Sequence, residues 1–299
     1  MTQPAKAPTL FTRRHWLRTG SLAALGLTGL GAQTQAQAEE LTDLAKVRAS
    51  GTLKVALYKD NAPYSDGNNQ DMQGVDVALA QALAAGMGLK LSLLGFDAGE
   101  RMDDDLRNMV WKGHYLGYGP ADVMLHVPVD KFLMQENRQA LIFAPYSREV
   151  LVVFHSRARL PHLQSGEDLV GLPLAAERGS GAASSLMGYG QGKLRSQVHI
   201  FNTGLQAAEA VLRGEAAAAY VSRAQAEAAV HAARAKASDF EMTTLGLPGL
   251  NDNGWPIGMA VKSSHKALAQ ALENTLNQLR SNGQLLALYR ERGLTLVAP

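Results

Sequence analysis

The residues able to hold a small polar molecule gather where apolar runs end. Tyr58, Asp60 and Tyr64 stand in the turn-rich stretch that follows the strand-like run 53–57. His126 ends the run 123–125, and Gly179-Ser180-Gly181 leads into a helix with Arg178 beside it. Such a Gly-Ser-Gly entry offers backbone N–H groups and the positive end of a helix dipole to an anion, or serves as a plain helix cap. Open α/β sheets place their ligands where strands release into loops. The sequence has no Gly-x-Ser-x-Gly and no His-Glu-x-x-His, and no paired-carboxylate arrangement stands out, so catalysis finds no support. Two further motifs fail on inspection. The loop beginning at Asp66 has Asp71 and Val77 where a calcium loop needs Gly and Glu, so no metal site is expected. Gly188-Tyr189-Gly190-Gln191-Gly192-Lys193 has neither the spacing nor the hydroxyl of a phosphate loop.

The apolar periodicity supplies the frame. A short amphipathic helix is predicted at 39–49, strands at 53–57, 89–94 and 123–125, and helices at 74–87 and 101–110. This alternation implies a parallel sheet with helices on its faces. The apolar run 140–143 ends in a Pro145-Tyr146 turn. The next run, 150–154, is flanked by polar residues and reads as an exposed connector, one leg of a hinge. The alternation then restarts, with strands at 172–175, 198–201, 217–221 and 241–245 and helices at 181–187, 203–213 and 223–235. A strand at 257–261 and a helix at 264–281 follow, the helix capped by Ser263 or Ser264 with Leu268, Leu272, Leu276 and Leu279 inward. Asn282-Gly283 breaks it before a short helix at 285–290. The fold class expected is α/β, with two α/β lobes.

Residues 1–38 read as an address. Arg13-Arg14 with Trp16 matches the twin-arginine export pattern, a short apolar run with three glycines follows, and Ala36-Gln37-Ala38 is a small-residue cleavage site. Removing them takes away Lys6, Arg13, Arg14 and Arg18 and no acid, so the formal charge of +2 becomes −2. That argues against nucleic acid or an anionic membrane as partner. The 261 residues left of 299 suffice for two lobes. There is no cysteine, hence no disulfide framework, and no cofactor motif.

Several segments, in this order, carry a resemblance: Leu53-Lys54-Val55-Ala56; Gln73-Gly74-Val75-Asp76-Val77-Ala78-Leu79-Ala80; Ala121-Asp122-Val123-Met124; Phe143-Ala144-Pro145-Tyr146; and Ile257-Gly258-Met259-Ala260-Val261-Lys262. On these the chain resembles the bacterial periplasmic solute-binding proteins of the polar-amino-acid family. The resemblance implies a periplasmic, monomeric receptor of an ABC-type importer. It would enclose a small polar solute between lobes 39–148 plus 247–299 and 149–246, joined by two crossover strands, with a membrane permease as partner. By family position it also brings Tyr146, Thr203 and Ser222 to the cleft beside Tyr58, Asp60, Tyr64, His126 and Ser180. Trp255 is read as packing the return crossover. Two anchors of the family are missing. Its Thr-x-x-Arg clamp for a ligand carboxylate is replaced by Val127 through Leu133, with Arg138 or Arg178 the remaining cations, and its ammonium-pairing Asp is replaced by Ser222-Arg223. The expectation is therefore a neutral or weakly anionic solute and no tight binding of the standard amino acids. The motif Asp122 through Val129 also resembles homologues associated with quinoprotein alcohol dehydrogenases, which implies, as the alternative, an accessory role beside a periplasmic dehydrogenase.

Overall fold

Burial along Thr52–Tyr58 shows why this run is a strand (β1). Leu53, Val55 and Leu57 enter one apolar cluster while Ala56 and Tyr58 enter another on the opposite face. The computed structural model describes residues 43–251 and 253–299. The export signal and cleavage site read at 1–38, and the first residues of the helix read at 39–49, lie outside them.

Asp43–Ser50 forms α1, and the loop after β1 holds two short strands, β2 (Asp60–Asn61) and β3 (Ser65–Asp66). Then come α2 (Val75–Gly86), β4 (Lys90–Phe96), α3 (Met102–Leu106) continued by a π-helical turn at Arg107–Trp111, β5 (Val123–Pro128), α4 (Lys131–Glu136) and β6 (Ala140–Glu149). The second half comprises β7 (Leu151–Ser156), β8 (Leu174–Glu177), α5 (Gly181–Gly188), β9 (Val198–Phe201), α6 (Gly204–Leu212), β10 (Ala218–Ser222), α7 (Arg223–Ala232) and β11 (Phe240–Thr243). The chain closes with β12 (Trp255–Lys262), α8 (Lys266–Ser281) and α9 (Gln284–Arg290).

Two five-stranded sheets result, ordered β4-β1-β5-β12-β6 and β11-β7-β10-β8-β9. Each is mixed rather than wholly parallel. β1 pairs in parallel with β4 and β5, but β12 runs antiparallel to both β5 and β6. In the second sheet β8, β9 and β10 are parallel, while β7 runs antiparallel to β10 and β11. The antiparallel members flank the points where the chain leaves one sheet and enters the other. Only Val150 separates β6 from β7 on the outward passage, and β11 returns to β12 through 244–254.

The run 150–154 is not an exposed connector. Val152, Val153 and Phe154 are almost wholly buried, on alternating faces of the second sheet, with Phe154 packed on Phe240 at 5.4 Å between ring centroids. Polar flanks mark its ends, where the chain crosses, and not its surroundings. The C-terminal helix α8 packs on α1, α2 and β6, with Leu268, Leu272, Leu276 and Leu279 in the first sheet's core. Its cap is not Ser263 or Ser264. His265 holds the cap position without a side-chain bond, and the Leu268 N–H donates to Asp43 Oδ2 at 2.8 Å. An orphan helix N–H takes whichever acceptor tertiary packing delivers.

Candidate binding cleft

Two bulges opposite Gly258 turn polar side chains inward. Pairing steps from Gly258–Val127 to Ala260–Met124 on β5, which leaves one extra residue on β5, and from Ile257–Ser147 to Met259–Phe143 on β6. His126 and Ala144 absorb the distortions at φ 59 and φ 49. A bulge re-aims the side chains beside it and admits a residue without an N–H, here Pro145. A Cβ on Gly258 would lie 2.5 Å from the Phe143 carbonyl oxygen, so the close approach requires glycine. Pro145-Tyr146 is thus a bulge inside β6, not a turn. Strand pairing on both sides keeps the chain extended through it.

Both re-aimed side chains meet Asp76, which is fully buried in the first turn of α2. Its carboxylate lies near the positive end of the helix. Tyr146 Oη donates to Asp76 Oδ1 at 2.9 Å and accepts the His126 backbone N–H at 3.0 Å. His126 Nδ1 is 2.7 Å from Asp76 Oδ2, and its Nε2 is 3.6 Å from Glu149 Oε2. Tyr64 packs against the His126 ring with centroids 4.3 Å apart, tilted by 45°, and donates to Glu149 Oε1 at 3.4 Å. Burial by itself would lower the pKa of His126. The Asp76 carboxylate and its hydrogen bond, helped by Glu149, override that and raise it to about 10, so the imidazolium is the resident form at neutral pH.

In front of this network lies a cleft of about 520 Å³, floored by ends of β1, β5, β6 and β12 and bordered by ends of β8 and β9. Tyr58, Asp60, Asn61, Asp97, His126, Glu149 and Trp255 line it from the first sheet's side, and Glu177 and Asn202 from the second's. An inner recess of about 230 Å³ shares Asn61, Glu149, Glu177 and Trp255 and adds Ser180, Ser222 and Gln225. The Tyr58 hydroxyl is held by Asp105 Oδ2 at 2.9 Å, and burial together with that carboxylate pushes its pKa well up. Asp97 is paired with Lys59 at 3.0 Å.

Three helices of the second half begin at or beside the cleft, and the chain caps each from its own side chains. Ser180 accepts from the Ala183 N–H, Thr203 from Gln206 and Ser222 from Gln225. Glu177 Oε2 takes the Gly204 N–H at 2.9 Å and Gln225 Nε2 at 3.3 Å. Burial raises the pKa of Glu177. The bonds from Gln225 and Gly204 work in the opposite direction, and the charge of Glu149 adds to the rise. Because Ser222 closes a capping box with Gln225, Ser222→Ala should cost about 1–2 kcal/mol of stability, read as a lower urea midpoint at unchanged slope.

The structure brings Tyr58, Asp60 and His126 to the cleft wall and Ser180 and Ser222 to its recess. Tyr64 and Tyr146 stand behind it, in the Asp76 network. Thr203 caps α6 beside the lining residue Asn202 without lining the cleft itself. Arg138 and Arg178 are exposed and border neither chamber. Arg138 reaches the Gln135 carbonyl at 3.4 Å, and Arg178 is tied by its backbone N–H to the Phe201 carbonyl. Sequence reasoning passed over Asp76, Glu149 and Glu177. An Asp inside the buried apolar run 75–80 was the available signal for the first. Glu149 and Glu177 each end a strand, but which strand ends face each other is a tertiary fact.

No protein-family model and no curated protein matches the chain. Solved structures do. An ancestral cationic amino acid solute-binding protein aligns at TM-score 0.65 and 18% identity, over 84% of this chain and 100% of that one. A Streptococcus pneumoniae ABC uptake transporter substrate-binding protein with bound histidine aligns at 0.60 and 14%, over 86% and 98%. An amino acid ABC transporter substrate-binding protein of the same organism, bound to L-arginine, aligns at 0.59 and 19%, over 86% and 100%. At these identities the likeness is one of fold: the chain has the bilobed α/β, periplasmic binding protein type II-like fold of the amino acid ABC transporter substrate-binding proteins.

Proposed function

We propose that the protein is the solute receptor of an ABC-type importer, working in the periplasm after twin-arginine export. The observation that carries this is the cleft at the strand ends of two sheets, lined by polar groups from both and backed by a buried hydrogen-bonded network. In this reading residues 43–148 and 247–299 form one lobe and 149–246 the other. They flex at Val150 and in the segment before Trp255, and a solute that touches both walls favours the closed form. Binding without turnover accounts for a cleft whose hydroxyls and carboxylates are tied to neighbours rather than arranged as nucleophile and base. Among the described residues no group of His, Cys, Asp and Glu is placed to hold a metal ion, and no helix is long and apolar enough to cross a membrane.

The test is calorimetry on residues 39–299 against polar solutes, with small-angle scattering to follow closure. A solute that binds and shrinks the radius of gyration supports the receptor; binding with no compaction by any solute counts against it. The standard amino acids should bind weakly, in the millimolar range. Loss of one charge-assisted anchor costs about 2–5 kcal/mol, which takes a micromolar ligand there. Arg138→Ala should leave any affinity unchanged, since that side chain stands outside the cleft.

A further inference from the structure

We propose, resting on the receptor reading, that the solute is an organic cation without a carboxylate: a diamine or an alkylguanidine rather than an amino acid. Three features of the cleft point there together.

The first is the sign of the charge. Glu149, Glu177 and Asp60 line the space from three different elements. Among the described residues, no Lys or Arg lines either chamber, and none forms an ion pair with these three acids. His126 is the one cation at the wall, and its single charge is shared between Asp76, 2.7 Å behind it, and Glu149, 3.6 Å from its Nε2. What remains facing the solute is negative.

The second is that the chain's own side chains already occupy the helix N-termini at the cleft. The N-termini of α5, α6 and α7 are the anion-binding positions of this cleft. Ser180, Thr203 and Ser222 cap them. At α6 the Gly204 N–H is held by Glu177, so the chain's own carboxylate sits where a bound anion would. An incoming carboxylate at α6 would meet a like charge in place of that donor.

The third is shape. Glu149 and Glu177 border both chambers, and so does the half-buried Trp255. A cation set between two carboxylates with an aromatic face alongside gains both charge pairing and cation–π attraction. The inner recess gives an elongated solute room for a second polar end at Ser180, Ser222 and Gln225. The neutral or weakly anionic solute expected from the sequence does not suit such a lining.

The experiment pairs each amino acid with its decarboxylated form in calorimetry at low salt: arginine against agmatine, and lysine against 1,5-diaminopentane. A neutral sugar and a dicarboxylate serve as further arms. The decarboxylated cation should bind at least about 10-fold more tightly than its parent. Glu177→Gln, which keeps an acceptor for the Gly204 N–H, should weaken it about 30-fold. Asp60→Asn, exposed on the short strand β2 with no side-chain bond to lose, should weaken it several-fold while the melting temperature stays put, and covers the case that Glu177→Gln fails to fold. The inference is overturned if the parent amino acid binds as tightly as its decarboxylated form, or if the cation's affinity is unmoved in both variants. It is overturned too if the sugar or dicarboxylate binds and the cations do not, an outcome that leaves the receptor reading standing. If no arm binds, inference and receptor reading fall together.

Discussion

Asp76→Asn is expected to destabilise the folded chain by about 3–5 kcal/mol near pH 6, because it strips the counter-charge from a buried imidazolium. The His126 side chain is 9% exposed and that of Asp76 is fully buried, so water cannot replace what the substitution removes. A buried ion pair adds little net stability compared with an apolar pair of the same shape, yet breaking one partner is costly. The wild-type pH profile follows from the same pair. The pKa of His126 rises from 6.5 to about 10 on folding, so the folded state holds the proton more tightly than the unfolded chain does. The stabilisation is then complete below about pH 6.5 and drains away as pH climbs towards 10, by a few kcal/mol in all. In the variant that slope should flatten, since only Glu149, 3.6 Å from Nε2, remains to favour the charged ring. Urea unfolding of both proteins at intervals from pH 6 to pH 10 reads the difference directly, and the subtraction cancels lysines and tyrosines that titrate in both. Parallel profiles would mean that His126 does not carry its charge in the folded protein.

Gly254→Ala comes next in expected effect, at roughly 2–4 kcal/mol, and acts on the passage between the sheets. Gly254 holds φ +64, and an added Cβ would lie 1.8 Å from the Glu149 carbonyl oxygen and 3.0 Å from Val150 Cα. No side chain can swing aside there, because the obstacle is backbone on the first crossing. One of the two crossings must therefore move, and Glu149, which borders both chambers, moves with it. Urea denaturation should show the loss of stability, and small-angle scattering should show a changed mean separation of the two halves. A variant as stable and as compact as the parent would show that the two crossings are not packed on each other in solution.

Local pattern was enough for most of the elements. Period-two burial in β1 and the leucine stripe of α8 follow from which residues are apolar and at what spacing, and an apolar face has to be covered whatever covers it. The runs that became β9, α6 and β10 were legible for the same reason. Where a segment's surroundings mattered more than its own residues, the reading failed. Pro145 looks like a turn in isolation, yet β12 on one side keeps it in a bulged strand. The polar ends of 150–154 suggested exposure, but two neighbouring strands and both cores of the second half bury its middle.

The candidate site divides along the same line. Residue types alone placed aromatic and polar groups such as Tyr58, Asp60 and His126 at strand ends, because a strand end is a local property. The absence of the carboxylate clamp is also plain in the one-dimensional chain, as Val127 through Leu133 contains no Arg. The sign of the charge around the solute was decided only in three dimensions. Glu149 and Glu177 are separated along the chain by a crossing, a strand and two turns, and they share a cleft because β6 and β8 end against it. Electrostatic energy depends on distance through space and on burial, neither of which a sequence carries. The cations Arg138 and Arg178 ended on the surface, while Asp76, silent within an apolar helix, became the counter-charge on which the cleft floor rests.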